Sequence, residues 1–196
     1  MCIRDRIDFS GPVIAGMAGW RMHPGYFAER HGLIIIVALG ESIVSIGIGV
    51  TELPISWPIV LASALGLALS AGLWWAYFDV AALDSEHALA AADGEPRARL
   101  ARDGYSYLHL PMIAGIILLS LGLKKVLGYV GGDDGHTWAD PLYGVPLVAL
   151  YGGVALFLLG HICFRLRTTG VVEWPRRSSC WFCSPPSRQS PIWPPW

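Results

Sequence analysis

GLIIIVALGESIVSIGIGV, residues 32–50, decides the fold class. As a helix rising about 1.5 Å per residue, this segment matches the hydrocarbon thickness of a bilayer. Eleven of its residues are Leu, Ile or Val. Each favours membrane insertion by about 0.3 to 0.6 kcal/mol, together roughly 3 to 7. Glu41, near the middle, costs about 3 kcal/mol. Insertion therefore wins. In hydrocarbon the backbone must satisfy its own hydrogen bonds, so the segment is a helix.

Working outward, three more stretches have this character, near 57–80, 104–123 and 142–164. None alternates polar and apolar residues, which sets a membrane barrel aside. The expected fold is all-α, a polytopic transmembrane bundle of about four membrane-spanning helices. Composition agrees. Of the 196 residues, 54% are hydrophobic and 15% charged, against about 25% charged in a soluble domain. Mean hydropathy is +0.48. A net charge of −1 leaves no basic footprint for nucleic acid.

Local signals mark helix ends. Ser56 before Trp57 and Pro58, and Asp140 before Pro141, read as helix starts. Pro111 and Pro146 fall inside the third and fourth apolar runs and are expected to kink them. Small residues recur at packing intervals: Gly40 and Gly47; Ala62, Gly66 and Ser70; Gly115 and Gly122. In lipid, close backbone approach drives helix association, so these stripes predict helix–helix interfaces.

Lys and Arg set the orientation. Arg4, Arg6, Arg21 and Arg30 precede the first run, and Arg97, Arg99 and Arg102 lie between the second and third. Arg165, Arg167, Arg176, Arg177 and Arg188 follow the fourth. Only Lys124 and Lys125 fall on the other side, 12 against 2. Both ends are therefore expected in the cytoplasm.

The ends differ from the middle. Residues 1–6 (MCIRDR) read as a linker artefact, and 7–31 as the stump of a preceding helix and a loop. The four-helix region is 32–170. Residues 171–196, rich in Trp, Pro, Ser, Arg and Cys, have no helical period and read as a disordered or non-native tail. Cys180 and Cys183 have CxxC spacing, but no second pair or βαβ context accompanies them.

Residues 26–49, YFAERHGLIIIVALGESIVSIGIG, resemble the bacterial low temperature requirement A (LtrA) family, whose pattern is close to HFAERxGLxxIIxLGES. WWAYFD at 74–79 is similar to the family's WWxYFD, and YSYLHLPMIAGII at 105–117 to its YxYLHLP segment. IDFSGP at 7–12 looks like the family's upstream segment. Tyr26 stands where the family has His. The family's ELFFDLVFV-like segment is missing, so the chain looks like the carboxy-terminal half of a longer protein. The resemblance implies a polytopic inner-membrane protein and no catalytic assignment.

The candidate site residues are polar groups at membrane depth. Glu41 is expected to face the bundle rather than lipid. Ser45, one turn on, and Arg30, eleven residues earlier, complete a polar stripe beside which a wet groove could run. Glu29 suits a helix start. Asp79 ends the aromatic belt Trp74, Trp75, Tyr77, Phe78 and is a candidate partner for Arg30 or Arg102. His31, His109 and His161 fall at one depth, with Tyr105 beside His109. Such histidines serve either as ligands for haem or metal or as hydrogen-bonding links between helices. His161 with Arg165 reads as a solvated helix end.

Phosphate loops, GxSxG, HExxH and EF-hand loops are absent from the sequence. The leading expectation is ion or small-solute translocation past an intramembrane carboxyl, with no enzyme activity and no cofactor. The rivals are a structural or assembly membrane protein, and a haem- or metal-binding redox protein. Expected partners are the lipid bilayer, the missing amino-terminal half and a small solute or ion, with no nucleic acid.

Overall fold

A computed structural model describes residues 23–51, 53–131 and 141–170. The expectations for residues 1–6, for 7–22 of the predicted stump and for the tail 171–196 lie outside these residues. So do those for Cys180, Cys183 and the terminal arginines.

The described residues are helical, with no strand among them. Helix α1 is Pro24–Val50 and α2 is Trp57–Tyr77. A π-helical turn, Phe78–Ala82, leads into the short α3, Leu83–Ala91. Helix α4, Gly94–Leu100, passes through a second π stretch, Ala101–Tyr107, into α5, Leu108–Gly131. Helix α6 is Val145–Thr169. Four helical rods are long and apolar enough to cross a membrane: α1, α2, α6, and Gly94–Gly131 as one continuous rod.

The start of α2 is as the sequence reading has it, and the starts of α1 and α6 differ. Helix α1 starts at Pro24, so Glu29, Arg30 and His31 belong to its first turns. Ser56 is the N-cap of α2, with Pro58 in its first turn. Helix α6 begins at Val145, beyond the expected Asp140–Pro141 start; Asp140 lies outside the described residues. Pro146 therefore sits in the first turn, where a missing N–H breaks no ladder bond. Of the two expected kink sites, only Pro111 is inside a helix. Gly144 and Gly170 bracket α6 with φ of +69° and +71°, conformations that cost glycine little.

Helix α5 is the hub, touching α1, α2 and α6, and its widest interface is with α6. That interface is backbone on backbone. A Cβ added at Gly115 would lie 2.6 Å from the Phe157 nitrogen, and one at Gly122 would lie 2.6 Å from the Leu150 nitrogen. Gly153 answers from α6, where a Cβ would lie 2.5 Å from the Leu119 nitrogen. Gly66 on α2 faces Ile46 and Leu123 at 3.0 Å. The expected Gly40–Gly47 stripe is not an interface among the described residues, for both positions meet open space.

The buried stripe of α1 is Ile35, Ala38, Leu39, Ser42, Ser45 and Ile46, spaced three and four apart. Ile116, Leu119, Met112, Phe157 and Phe164 continue the core. Outside it, Val37, Leu65, Val148 and Leu159 stand exposed on the long helices. A water-soluble monomer rarely presents so broad an apolar surface; a helix bundle in lipid requires it.

Candidate functional site

The polar groups converge at one end of the bundle, where both π stretches lie. His109, in the first turn of α5, is fully buried. Its Nδ1 lies 3.4 Å from the Gly104 carbonyl, and its Nε2 lies 2.8 Å from the Tyr77 hydroxyl. A carbonyl only accepts, so Nδ1 carries the proton and Nε2 accepts from Tyr77. Both ring nitrogens are thereby occupied. The His31 Nδ1–H donates to the Phe27 carbonyl at 2.8 Å.

The rings stack into one cluster. Tyr105 lies parallel to His109, with centroids 5.5 Å apart and 9° between planes. His31 meets His109 edge-on at 5.1 Å. Phe164 of α6 closes the far side, 4.9 Å from His109 and 5.1 Å from Tyr105. The π stretches place two members of this cluster. Tyr77 is the last residue of α2 before the first, and Tyr105 lies within the second. Such widened turns are rare overall and frequent at functional positions.

Beside the cluster is a cavity of about 350 Å³, at the small end of the range for ligand sites. Glu29, Gly32, Tyr77, Phe78, Glu86 and Tyr105 line it, with apolar side chains of α1 and α3. Tyr105 is 1% exposed, and its hydroxyl has no hydrogen-bond partner among the described residues. A buried hydroxyl without a partner costs about 1–3 kcal/mol. The residue borders the cavity, while the hydroxyl itself is enclosed by protein.

Of the residues singled out in sequence, His31, Tyr105 and His109 come together here, and Glu29 lines the cavity. The others do not join them. Glu41 is exposed on the outer face of α1, contrary to the expected inward orientation. Its neighbour Ser42 takes the inward position and hydrogen-bonds Ser120 of α5 at 3.0 Å. One residue is about 100° on a helix, so Ser42 and Glu41 cannot share a face. Ser45 is buried while Arg30 is exposed, so the expected polar stripe is split between two faces. Asp79 accepts from the Trp75 indole N–H at 3.1 Å and pairs with neither Arg30 nor Arg102. Arg102 pairs instead with Asp103, which also takes Arg167 of α6 at 3.3 Å. His161 and Arg165 are buried, His161 stacked near Phe157, and are not a solvated end. Among the described residues no three His, Cys, Asp or Glu side chains are grouped to hold a metal.

Sequence reasoning missed Tyr77 as a hydrogen-bond partner, treating it as one ring of an interfacial belt. The available signal was its depth, level with a histidine that needs an acceptor or donor. Glu86 was not among the residues singled out in sequence.

The fold and its lipid-compatible exterior define a polytopic all-α membrane protein. The family model described as Bacterial low temperature requirement A protein (LtrA) matches residues 6–183. The chain belongs to that family. It is also 31% identical, over 156 residues, to a protein of Rhizobium meliloti (strain 1021) described only as uncharacterized. That match covers 76% of this chain and 34% of the relative, so the chain spans about a third of the relative's length. No solved structure matches.

Proposed function

We propose that this chain belongs to an inner-membrane protein that moves a small solute or ion across the bilayer, binding it in the cavity beside Tyr105. The observation that supports this reading is a cavity within a membrane bundle, bordered by two acids and by Tyr105, whose buried hydroxyl has no partner among the described residues. Glu41 has a different place in it. On the outer face of α1 it is positioned to meet a further helix of a longer protein, the expected amino-terminal half being the nearest candidate. Arg97, Arg99, Arg102, Arg165 and Arg167 lie at one end of the rods, and Lys124 and Lys125 toward the other. This asymmetry supports an arginine-rich cytoplasmic end.

The test is flux. The full chain is reconstituted in liposomes, and proton, sodium, potassium and ammonium currents are recorded on solid-supported membranes. Current above empty vesicles, reduced severalfold by Tyr105→Phe, is the expected result. Folded protein that carries none of these ions, nor a panel of small neutral, anionic and organic ammonium solutes, overturns it. That outcome favours the second reading, a structural or assembly protein, which the buried Tyr77–His109 and Ser42–Ser120 bonds between helices support.

A further inference from the structure

The lining of the cavity carries information about charge. Two carboxylates, Glu29 and Glu86, border it, and no Lys or Arg does. Neither is in an ion pair among the described residues, whereas Asp93, Glu95 and Asp103 each hold an arginine. Glu86 reaches across from α3 to the start of α1. A Cβ added at Gly25 would lie 3.5 Å from its Oε1. Acidic side chains are favoured beside the positive end of a helix dipole.

The remaining polar surface is aromatic. Tyr77 and Phe78 line the cavity and pack edge to face on each other, 76° apart with centroids at 4.9 Å. Tyr105 adds a third ring and the unpartnered oxygen. Three aromatic side chains and two acids that pair with no cation among the described residues give the cavity a negative, aromatic lining, open on the side of Glu29, Leu33 and Leu83. Cations are held over ring faces by the ring quadrupole, and quaternary ammonium groups are recognised in this way. An anion would meet two carboxylates with no compensating cation. A bare metal ion would find ring faces where it needs several oxygen ligands.

From this we infer that the cavity selects a small organic ammonium ion. The inference rests on the cavity being the binding site of the proposed function and specifies its ligand class.

The test is binding, measured apart from flux. Equilibrium dialysis of the full chain in detergent uses radiolabelled choline as the probe. The uncharged isostere 3,3-dimethyl-1-butanol serves as competitor. Saturable binding of one choline per chain is expected, with the neutral isostere at least tenfold weaker. Glu86→Gln should weaken choline about tenfold, as expected when one partly screened carboxylate leaves a cation site. Tyr105→Phe should weaken it severalfold. Glu29→Gln, at an exposed position where folding is not at stake, gives an independent reading in the same direction. Absence of saturable choline binding by the folded parent overturns the inference. So does equal competition by the neutral isostere, or affinity untouched by both glutamate variants. Choline binding without transport of any ammonium would sink the transport reading and keep the site. Transport of neutral or anionic solutes without choline binding would do the reverse.

Discussion

Replacing Gly115 with alanine tests the backbone contact between α5 and α6. The new methyl would lie 2.6 Å from the Phe157 nitrogen, 2.7 Å from the Gly153 carbonyl oxygen and 3.0 Å from the Phe157 α-carbon. Comfortable carbon contacts are about 3.5–4.0 Å, so α5 and α6 must part by roughly 1 Å. All three obstacles are backbone, so no side-chain rotation relieves them. Overfilling a packed interior costs about 1–3 kcal/mol. Against this, alanine gains up to about 1 kcal/mol in helix propensity. Gly72→Ala separates the two effects, because Gly72 is helical and meets nothing within 4 Å. The two variants share the propensity gain and differ only in the clash. The expected difference in unfolding free energy is therefore about 1–3 kcal/mol, Gly115→Ala being the weaker. Unfolding in mixed micelles of mild detergent and SDS, followed by circular dichroism, measures it. If both variants shift the midpoint equally, the backbones of α5 and α6 do not meet as described.

Three further expectations follow from single contacts. Tyr77→Phe leaves the buried His109 Nε2 without its donor and should lower stability by about 1–3 kcal/mol in the same assay; an unchanged midpoint would mean the pair does not form. Ser42→Ala removes one interhelical bond, but Ser120 keeps its bond to the Ile116 carbonyl. The cost should be nearer 0.6 kcal/mol, the average for such bonds in membranes, and one exceeding about 2 would contradict this. Glu41→Leu removes an exposed acid from an apolar face and should favour insertion by about 3 kcal/mol. Glycosylation mapping of the inserted fraction reads this directly, and reduced insertion would show that the carboxyl is engaged.

The helices were legible in the sequence because lipid imposes one strong demand, a long apolar run, and four runs meet it. Which way each helix faces was not legible. In water, hydropathy separates inside from outside; in a bilayer both are apolar. Glu41 and Ser42 show the result, since a scale that ranks polarity turns the glutamate inward and the structure turns the serine. Glycine spacing has the same ambiguity. Gly115 and Gly122 meet α6, while Gly40 and Gly47, with identical spacing, meet nothing. The His31–Tyr105–His109 grouping was foreseen in part, because helix ends share a depth that residue counting can locate. The cavity was not, because it depends on two π stretches, which no apolar period announces.

Those stretches also set where the chain tolerates a change of length. A π stretch is an α ladder holding one surplus residue. Removing one residue between Ala101 and Tyr107 would let the ladder close and leave the flanking segments in register. The same deletion in the middle of α6 would turn every residue beyond it by about 100° and unseat its contacts with α5. Length variants are therefore expected to survive at the mouth of the cavity and to fail elsewhere along the rods, which makes this end the part of the bundle freest to be reshaped.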